Sequence, residues 1–389
     1  MDRLPKALGA GWARRAGGER GIALLMVLFV ITMLSIIASE YIESRRIDSL
    51  ATRNFMDETQ AYYAARAGLN LAATEILRLP RCVYRDPDLN ILQGCSGSLV
   101  YTPEGESSEP DKKAEETSAS APLSLLGRLQ LPQGVAIGRG AVRVILEDDE
   151  SKLNLNSLSS YQLERLLRFT GVVDDQLRSI IVDSILDWRD HGNARRLNGA
   201  ESDYYKSLPQ PYEAKNGNFD SVEELLLVRC VSPALFHGTG GQLPPYEPPP
   251  DCPAPSDSDE YLGLVHFLTV GGRGPVNLNT APLLVLQALG VSQTVADHIV
   301  AGRPHRLLPR QARRYRGLTT TSTSFYVVAE GFFPGSPNVR RVAARIEQGG
   351  AGSRSGPIVV SAWDDNVLRA PQPPSFAGFT DGLAEREEE

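Results

Sequence analysis

Arg20-Gly21-Ile22-Ala23-Leu24-Leu25-Met26-Val27-Leu28-Phe29-Val30-Ile31-Thr32-Met33-Leu34-Ser35-Ile36-Ile37-Ala38-Ser39-Glu40 carries no charged side chain between its two ends. About 18 or more such residues, rising ~1.5 Å each, span a bilayer core as a helix. Arg3, Lys6, Arg14, Arg15 and Arg20 precede or open the run and outnumber Asp2 and Glu19. The positive-inside rule then leaves the N-terminus in the cytoplasm and sends everything beyond Glu40 across. A cleaved signal peptide is one reading, because Ala38-Ser39-Glu40 imitates a cleavage site, but the apolar run is long for that class. A plain anchor is a second. The third takes in the residues beyond: Ile42, Ile47, Leu50, Phe55, Tyr62, Ala65, Leu69, Ala72, Ile76 and Leu77 recur near helical spacing, and no proline intervenes before Pro80. One helix then runs over 22–78, with 22–39 in the membrane, and reaches about 80 Å. Its wet half is amphipathic and needs a partner along its length.

A basic leader ending in glycine, an apolar helix start and an amphipathic continuation together resemble the type IV pilin and pseudopilin superfamily. The resemblance implies that prepilin peptidase cuts after Gly21, leaving Ile22 as the N-methylated first mature residue. Members ordinarily carry a glutamate at the fifth mature position, where this chain has Met26. A carboxylate in lipid is costly unless paired. In a pilin filament it pairs with the neighbouring subunit's terminal amine, so an apolar residue suits a subunit with no neighbour ahead of it. The superfamily member lacking this glutamate is the protein K family of type II secretion, also called general secretion pathway protein K.

The chain has 389 residues, 42% hydrophobic and 22% charged, the balance of a folded protein with room for two or three domains. Its net charge of −7 falls mostly beyond the basic leader, which disfavours nucleic acid and suits Ca²⁺. Four cysteines form two sequence-local couples, Cys82 with Cys95 and Cys230 with Cys252, at spacings that match no zinc motif. Local pairing is the working expectation for an oxidising compartment; crossed pairing and buried thiols remain compatible with the spacing.

Taken in order, 1–21 is a leader and the long helix ends at Pro80. The stretch around Thr102–Ser120 is polar, acidic and loop-like. Val135–Ile137 and Ala141–Asp148 read as a hairpin. Lys152-Leu153-Asn154-Leu155-Asn156-Ser157 and Val276-Asn277-Leu278-Asn279-Thr280-Ala281-Pro282 repeat one theme, each followed by helical pattern, with the asparagines and Thr280 as caps and Pro282 in a first turn. Tyr161–Phe169, Gln176–Trp188, Asp220–Val228 and Val291–Val300 are helical, and Arg303–Arg316 is a basic linker. Ser324–Gly331, Val339–Glu347 and Pro357–Asp364 are strands, and the tail from Ala370 is Pro-rich, then acidic. The expected fold class is therefore α+β: a pilin-like long N-terminal helix on an antiparallel sheet, with a large inserted all-α domain. The expected divisions are 79–152 for the first part of the pilin-like domain, 153–316 for the insertion, 317–366 for the second part and 367–389 for a disordered tail. Three strands after the helical block are few for a separate core, so insertion is preferred to an independent β domain.

The most specific motif lies in the insertion. Asp187-Trp188-Arg189-Asp190 is followed by Asn198-Gly199-Ala200-Glu201-Ser202-Asp203-Tyr204-Tyr205, then by Asn216-Gly217-Asn218-Phe219-Asp220-Ser221-Val222-Glu223-Glu224-Leu225. By residue type, Asp190, Asn198, Glu201 and Asp203 offer oxygens to a hard cation, and a solvated polar loop with caps is the bland alternative. The motif resembles the inserted helical domain of the protein K family, in which this loop binds calcium. Asp190, Glu201 and Asp203 fall on that family's acidic positions. His191, Gly192, Asn193 and Asn198 stand where the family often has further acids, and fewer carboxylates weaken a Ca²⁺ site.

A rival class is a membrane-anchored DNA-uptake protein, because Asn277–Arg303 looks like a helix-hairpin-helix followed by arginines. Ser292 replaces the usual second glycine of the hairpin, and the acidic ectodomain argues against DNA. No Gly-x-Ser-x-Gly, His-Glu-x-x-His or phosphate loop is present, so no enzyme is expected. The resemblance implies a non-enzymatic minor pseudopilin that caps a pseudopilus tip and starts assembly with proteins resembling I and J. It is inserted once in the bacterial inner membrane, with its C-terminal part periplasmic. No nucleic-acid partner is expected.

Overall fold

The computed structural model describes residues 19–79, 82–86, 90–95, 125–240, 246, 248–253, 260–272, 274–333, 336, 338–348, 358–365 and 367. Most of the leader, the polar stretch around Thr102–Ser120 and the tail from Ala370 lie outside them. The chain forms two units, residues 1–59 and 60–389. The first long element, α1 (Glu19–Arg78), begins before Gly21–Ile22, the pair at which processing is expected. Within the first unit its side chains from Ile22 through Phe55 are exposed, and this is a helix long and apolar enough to cross a membrane. The Thr32 and Ser35 hydroxyls donate back to the Phe29 and Ile31 carbonyls, which hides them in an apolar surround.

In the second unit the rest of α1 lies on a sheet. Two short strands, β1 (Val83–Arg85) and β2 (Leu92–Gly94), pair with each other, and a short α2 follows (Leu125–Gln130). Then come β3 (Val135–Ile137) and β4 (Gly140–Asp148), whose burial alternates residue by residue, one face inward. Beyond a single 3-10 turn at Asp149–Ser151 the chain leaves the sheet. It builds β5 (Leu153–Asn154), α3 (Ser160–Phe169), α4 (Asp175–Arg189), α5 (Ser202–Lys206) and α6 (Pro233–His237). After these come β6 (Leu268–Thr269), β7 (Val276–Asn277), α7 (Leu283–Ala288), α8 (Gln293–Ala301) and β8 (Leu318–Thr319). It then returns as β9 (Ser324–Phe332), β10 (Val339–Gln348) and β11 (Ile358–Asp364). The sheet order is β11-β10-β9-β4-β3 and every pairing is antiparallel, with Asp148 opposite Phe325 where β4 meets β9. The fold is thus α+β, with an insertion between two neighbouring strands that is mainly helical rather than all-α, because β5–β6 and β7–β8 form two short parallel bridges within it.

Small residues set how closely helix and sheet approach. Ala61, Ala65, Leu69, Ala72 and Ile76 are buried against Val142, Val144, Leu146, Val327, Ala329 and Ile346. A Cβ on Gly331 would lie 1.9 Å from the Ala61 carbonyl oxygen, and one on Gly68 would lie 2.1 Å from a Val142 methyl. The insertion has its own core, which includes Leu163, Leu166, Ile181, Trp188, Tyr205, Phe236, Phe267, Leu286 and Ile299.

The repeated Asn-Leu-Asn theme makes the two arms of that core. Leu153-Asn154 bridges Leu268-Thr269, and Val276-Asn277 bridges Leu318-Thr319, both in parallel. In each arm the first asparagine's side-chain oxygen accepts the N–H of the second, Asn156 or Asn279. They close turns and cap no helix. Ser159 caps α3 through a capping box with Gln162, and Pro282 stands at the N-cap of α7. Thr280 donates to Asp148. The stretch Asp220–Val228 forms a 3-10 turn over Val222–Leu227 where an α-helix was expected. Two disulfides are formed, Cys82–Cys95 and Cys230–Cys252.

Three successive buried carboxylates sit where β4 leaves the sheet. Asp148 accepts from Asn277, Thr280 and Ser322 side chains and from the Glu150 N–H. Asp149 is held by Ser324, Thr269 and Arg345, and Glu150 by the N–H groups of Thr323 and Ser324. These bonds tie the first residues of the insertion to its last.

Candidate functional site

Asp183, Asp187 and Asp190 follow one another at i, i+4 and i+7, so all three face the same side of α4. The loop 191–200 folds back over that side. Asp183 accepts the Asn198 N–H at 3.1 Å, and Asp187, wholly buried, accepts the Arg196 N–H at 3.2 Å. A Cβ on Gly199 would lie 1.9 Å from an Asp187 oxygen, so only glycine lets the loop pass. Asp190, the C-cap of α4, takes the Gly192 N–H at 3.0 Å. Four consecutive aromatic contacts brace the base of this loop, since Trp188 meets Tyr205, Tyr212 and Phe219, and Tyr205 stacks on Tyr212. Arg189 donates to the Leu155 and Leu158 carbonyls, and Asn156 exchanges two bonds with the Phe219 main chain.

One guanidinium nitrogen serves two acids: Arg196 Nη1 is 2.5 Å from Asp187 Oδ1 and 2.6 Å from Asp190 Oδ2. Burial pushes the Asp187 carboxyl up in pKa despite this guanidinium, whereas the bonds from Arg196 and Gly192 bring Asp190 down against its slight burial. Glu201, at the N-cap of α5, is only 5% exposed, and the Ser202 N–H is the one donor that faces its carboxylate among the described residues, in a bond too loose to satisfy it. Burial, and then the charges of Asp187 and Asp190, push its carboxyl upward. A buried, poorly satisfied carboxylate near two other acids is a costly arrangement that positive charge relieves.

The four acids and amides singled out in sequence therefore separate. Asp190 and Glu201 share this site. Asn198 contributes its main chain, its N–H to Asp183 and its carbonyl to Arg229, while Asp203 is exposed on α5 beside Lys206. Asp187 was missed as a site residue, although its spacing from Asp183 and Asp190 was the available signal. Among the described residues no three His, Cys, Asp or Glu side chains converge closely enough to hold a metal. The Arg196 guanidinium stands between two of them.

At the other candidate, α7 and α8 form a helical hairpin with Gly290 at φ 90°. The Ser292 N–H that would face a phosphate donates instead to the Tyr315 hydroxyl, which Arg314 also contacts. Arg303 is structural and donates to the Leu278 and Ala281 carbonyls.

A long N-terminal helix, an antiparallel sheet under its later turns and a helical block carried between two strands make up a pilin-like fold. The chain is similar in sequence to protein K of the type II secretion system. Residues 146–238 match the family described as “Type II secretion system (T2SS), protein K”, over its first domain. Type II secretion system protein K of Pseudomonas aeruginosa is 26% identical over 299 residues, 74% of this chain and 73% of the relative. That of Aeromonas hydrophila is 27% identical over 297 residues, 75% of this chain and 77% of the relative. The fold is shared with a chain of “The Crystal Structure of the GspK-GspI-GspJ complex from enterotoxigenic Escherichia coli Type 2 Secretion System”. That match has a TM-score of 0.50 and 14% identity and covers 82% of this chain and 99% of the other.

Proposed function

We propose that this chain is the non-enzymatic minor pseudopilin that caps the tip of a type II secretion pseudopilus and starts its assembly. The observation that carries the reading is the insertion itself: β4 and β9 are sheet neighbours, yet the chain between them builds a second core. Such a load fits at an end of a stacked fibre and not along its shaft. Met26 agrees, because a subunit with no neighbour ahead has no amine to pair with a glutamate there. Its partners are the minor pseudopilins resembling I and J, the proteins assembled with the structural relative. The exposed apolar start of α1 is the inner-membrane anchor before extraction, with the C-terminal part periplasmic.

Prepilin peptidase is the processing enzyme, cutting between Gly21 and Ile22. Mass spectrometry of the chain from membranes with and without active peptidase should give an N-methylated Ile22 only with the enzyme; an uncut chain, or a cut near Ser39, overturns the pilin reading. Gold label on sheared pseudopili should mark one end; label along the shaft overturns the cap.

Calcium belongs to the same proposal. The support for it is the buried Glu201 carboxylate, which feels the charges of Asp187 and Asp190. Asp190 and Glu201, the two expected ligands that share this loop, are the residues that would hold it. The ion would supply positive charge to a structural loop, and no chemistry. Titration of the full chain with Ca²⁺ in a calorimeter tests this, and absence of binding at millimolar Ca²⁺ sinks it.

A further inference from the structure

We infer that the arginine-rich loop between α8 and β8, residues 303–317, docks on an anionic lipid surface, with Leu307 entering the lipid and the arginines around it meeting the phosphates. The inference stands apart from the calcium and cap readings. Arg306, Arg310, Arg313, Arg314 and Arg316 crowd this one loop, and no Asp or Glu occurs between Asp297 and Glu330. In a chain of net charge −7 the loop is a local reversal of sign.

The structure sorts the loop into two faces. Ala312 lies in the core of the insertion, and Leu308 and Tyr315 pack against that core. Asn279 grips the start of the loop: its side-chain oxygen accepts the His305 N–H at 2.7 Å, and its amide donates to the His305 carbonyl at 2.9 Å. Arg303 is spent on the Leu278 and Ala281 carbonyls, so it fastens the loop and adds nothing to its surface. The five arginines are all exposed, and Leu307 among them is 77% exposed. Arg313 donates to the Leu308 carbonyl and Arg314 to the Tyr315 hydroxyl, neither of them an acid.

Charge alone would suit any polyanion, and two observations select lipid. A leucine held outward between Arg306 and Arg310 finds no use on a phosphate ladder or an acidic helix, whereas an apolar side chain ringed by basic ones is the make-up of a segment that binds a membrane interface. The Ser292 N–H that a nucleic-acid phosphate would need is already bonded to the Tyr315 hydroxyl. Lipid is also at hand, because the chain carries a helix long and apolar enough to cross a membrane.

The test keeps the full chain, with the apolar start of α1 held in phosphatidylcholine nanodiscs. The discs are mixed with vesicles of phosphatidylcholine alone or of an equimolar mixture with phosphatidylglycerol, and vesicle-bound protein is measured after flotation. Wild type should bind the mixed vesicles and not the neutral ones, and should release them at high salt. Arg310→Gln/Arg316→Gln should bind the mixed vesicles about twentyfold more weakly, from roughly fivefold for each arginine removed. Arg168→Gln/Arg195→Gln makes the same change of charge at exposed positions elsewhere and should lose far less. Leu307→Ser leaves the charge untouched and should still weaken binding severalfold. If wild type treats the two vesicles alike, or if the two double variants lose binding equally, the loop is not a lipid-docking surface. If Leu307→Ser binds like wild type, the loop takes anions through charge alone, an acidic protein or duplex DNA included, and the lipid assignment is overturned.

Discussion

At the residue scale, the site turns on groups whose cost is visible only in three dimensions. Glu201 is a buried, poorly satisfied acid near Asp187 and Asp190, so Glu201→Gln should raise the calcium-free Tm by a few degrees and abolish the calcium-induced shift in Tm, both read by thermal melting with and without chelator. Gly199→Ala meets an Asp187 oxygen and should destabilise the protein by roughly 2 kcal/mol or more in denaturant titration. A second residue-scale prediction concerns pH. Burial raises the folded-state pKa of Asp148 to about 6 and of Glu150 to about 7. Between the ordinary carboxyl range and these values the folded form holds more protons than the unfolded form, so stability falls as pH rises through that window. The Tm should be higher near pH 5.5 than near pH 8, and Glu150→Gln should flatten the difference; a Tm that rises with pH would contradict it. Sequence spacing brought Asp190 and Glu201 to notice because acids are conspicuous by type. It gave Asp203 the same weight, because nothing in the type tells a solvent-facing acid from a buried one. It passed over Asp187, whose helical spacing was the usable sign.

At the element scale, long periodic patterns were legible and short ones were not. The continuation of α1 past the apolar run, the hairpin of β3 and β4 and the three final strands follow from period alone. The two-residue parallel bridges and the five-residue α5 carry no period to read. Thr280 resembled a cap by type, yet its hydroxyl serves Asp148, 132 residues away in sequence. The close seat of α1 on β9 was equally hidden, since it depends on which residue faces Gly331. Gly331→Val would drive a side chain into the Ala61 carbonyl and should cost about 3 kcal/mol or more, or abolish the folded sheet, in circular dichroism melts. The Cys230–Cys252 bridge closes a separation of 22 residues, and replacing both cysteines by serine should lower stability by about 3 kcal/mol in urea titration.

At the scale of the whole molecule, the order of strands, helices and strands already implied insertion, because three late strands need earlier ones to complete a core. The pairing of β4 with β9 is the physical form of that implication. Replacing 149–324 with an Asn-Gly turn should leave a protein whose remaining strands still pair, read as retained sheet signal and a cooperative melt; a molten product would mean that the sheet needs the block to fold. Seen from the sheet, Asp148 and Phe325 are simply the two sides of a hairpin, and the entire helical block occupies the place of its turn. A turn asks only that its ends come back together. If the shortened protein keeps its sheet, the strands register only where their ends meet, and the helical block is an exchangeable cartridge.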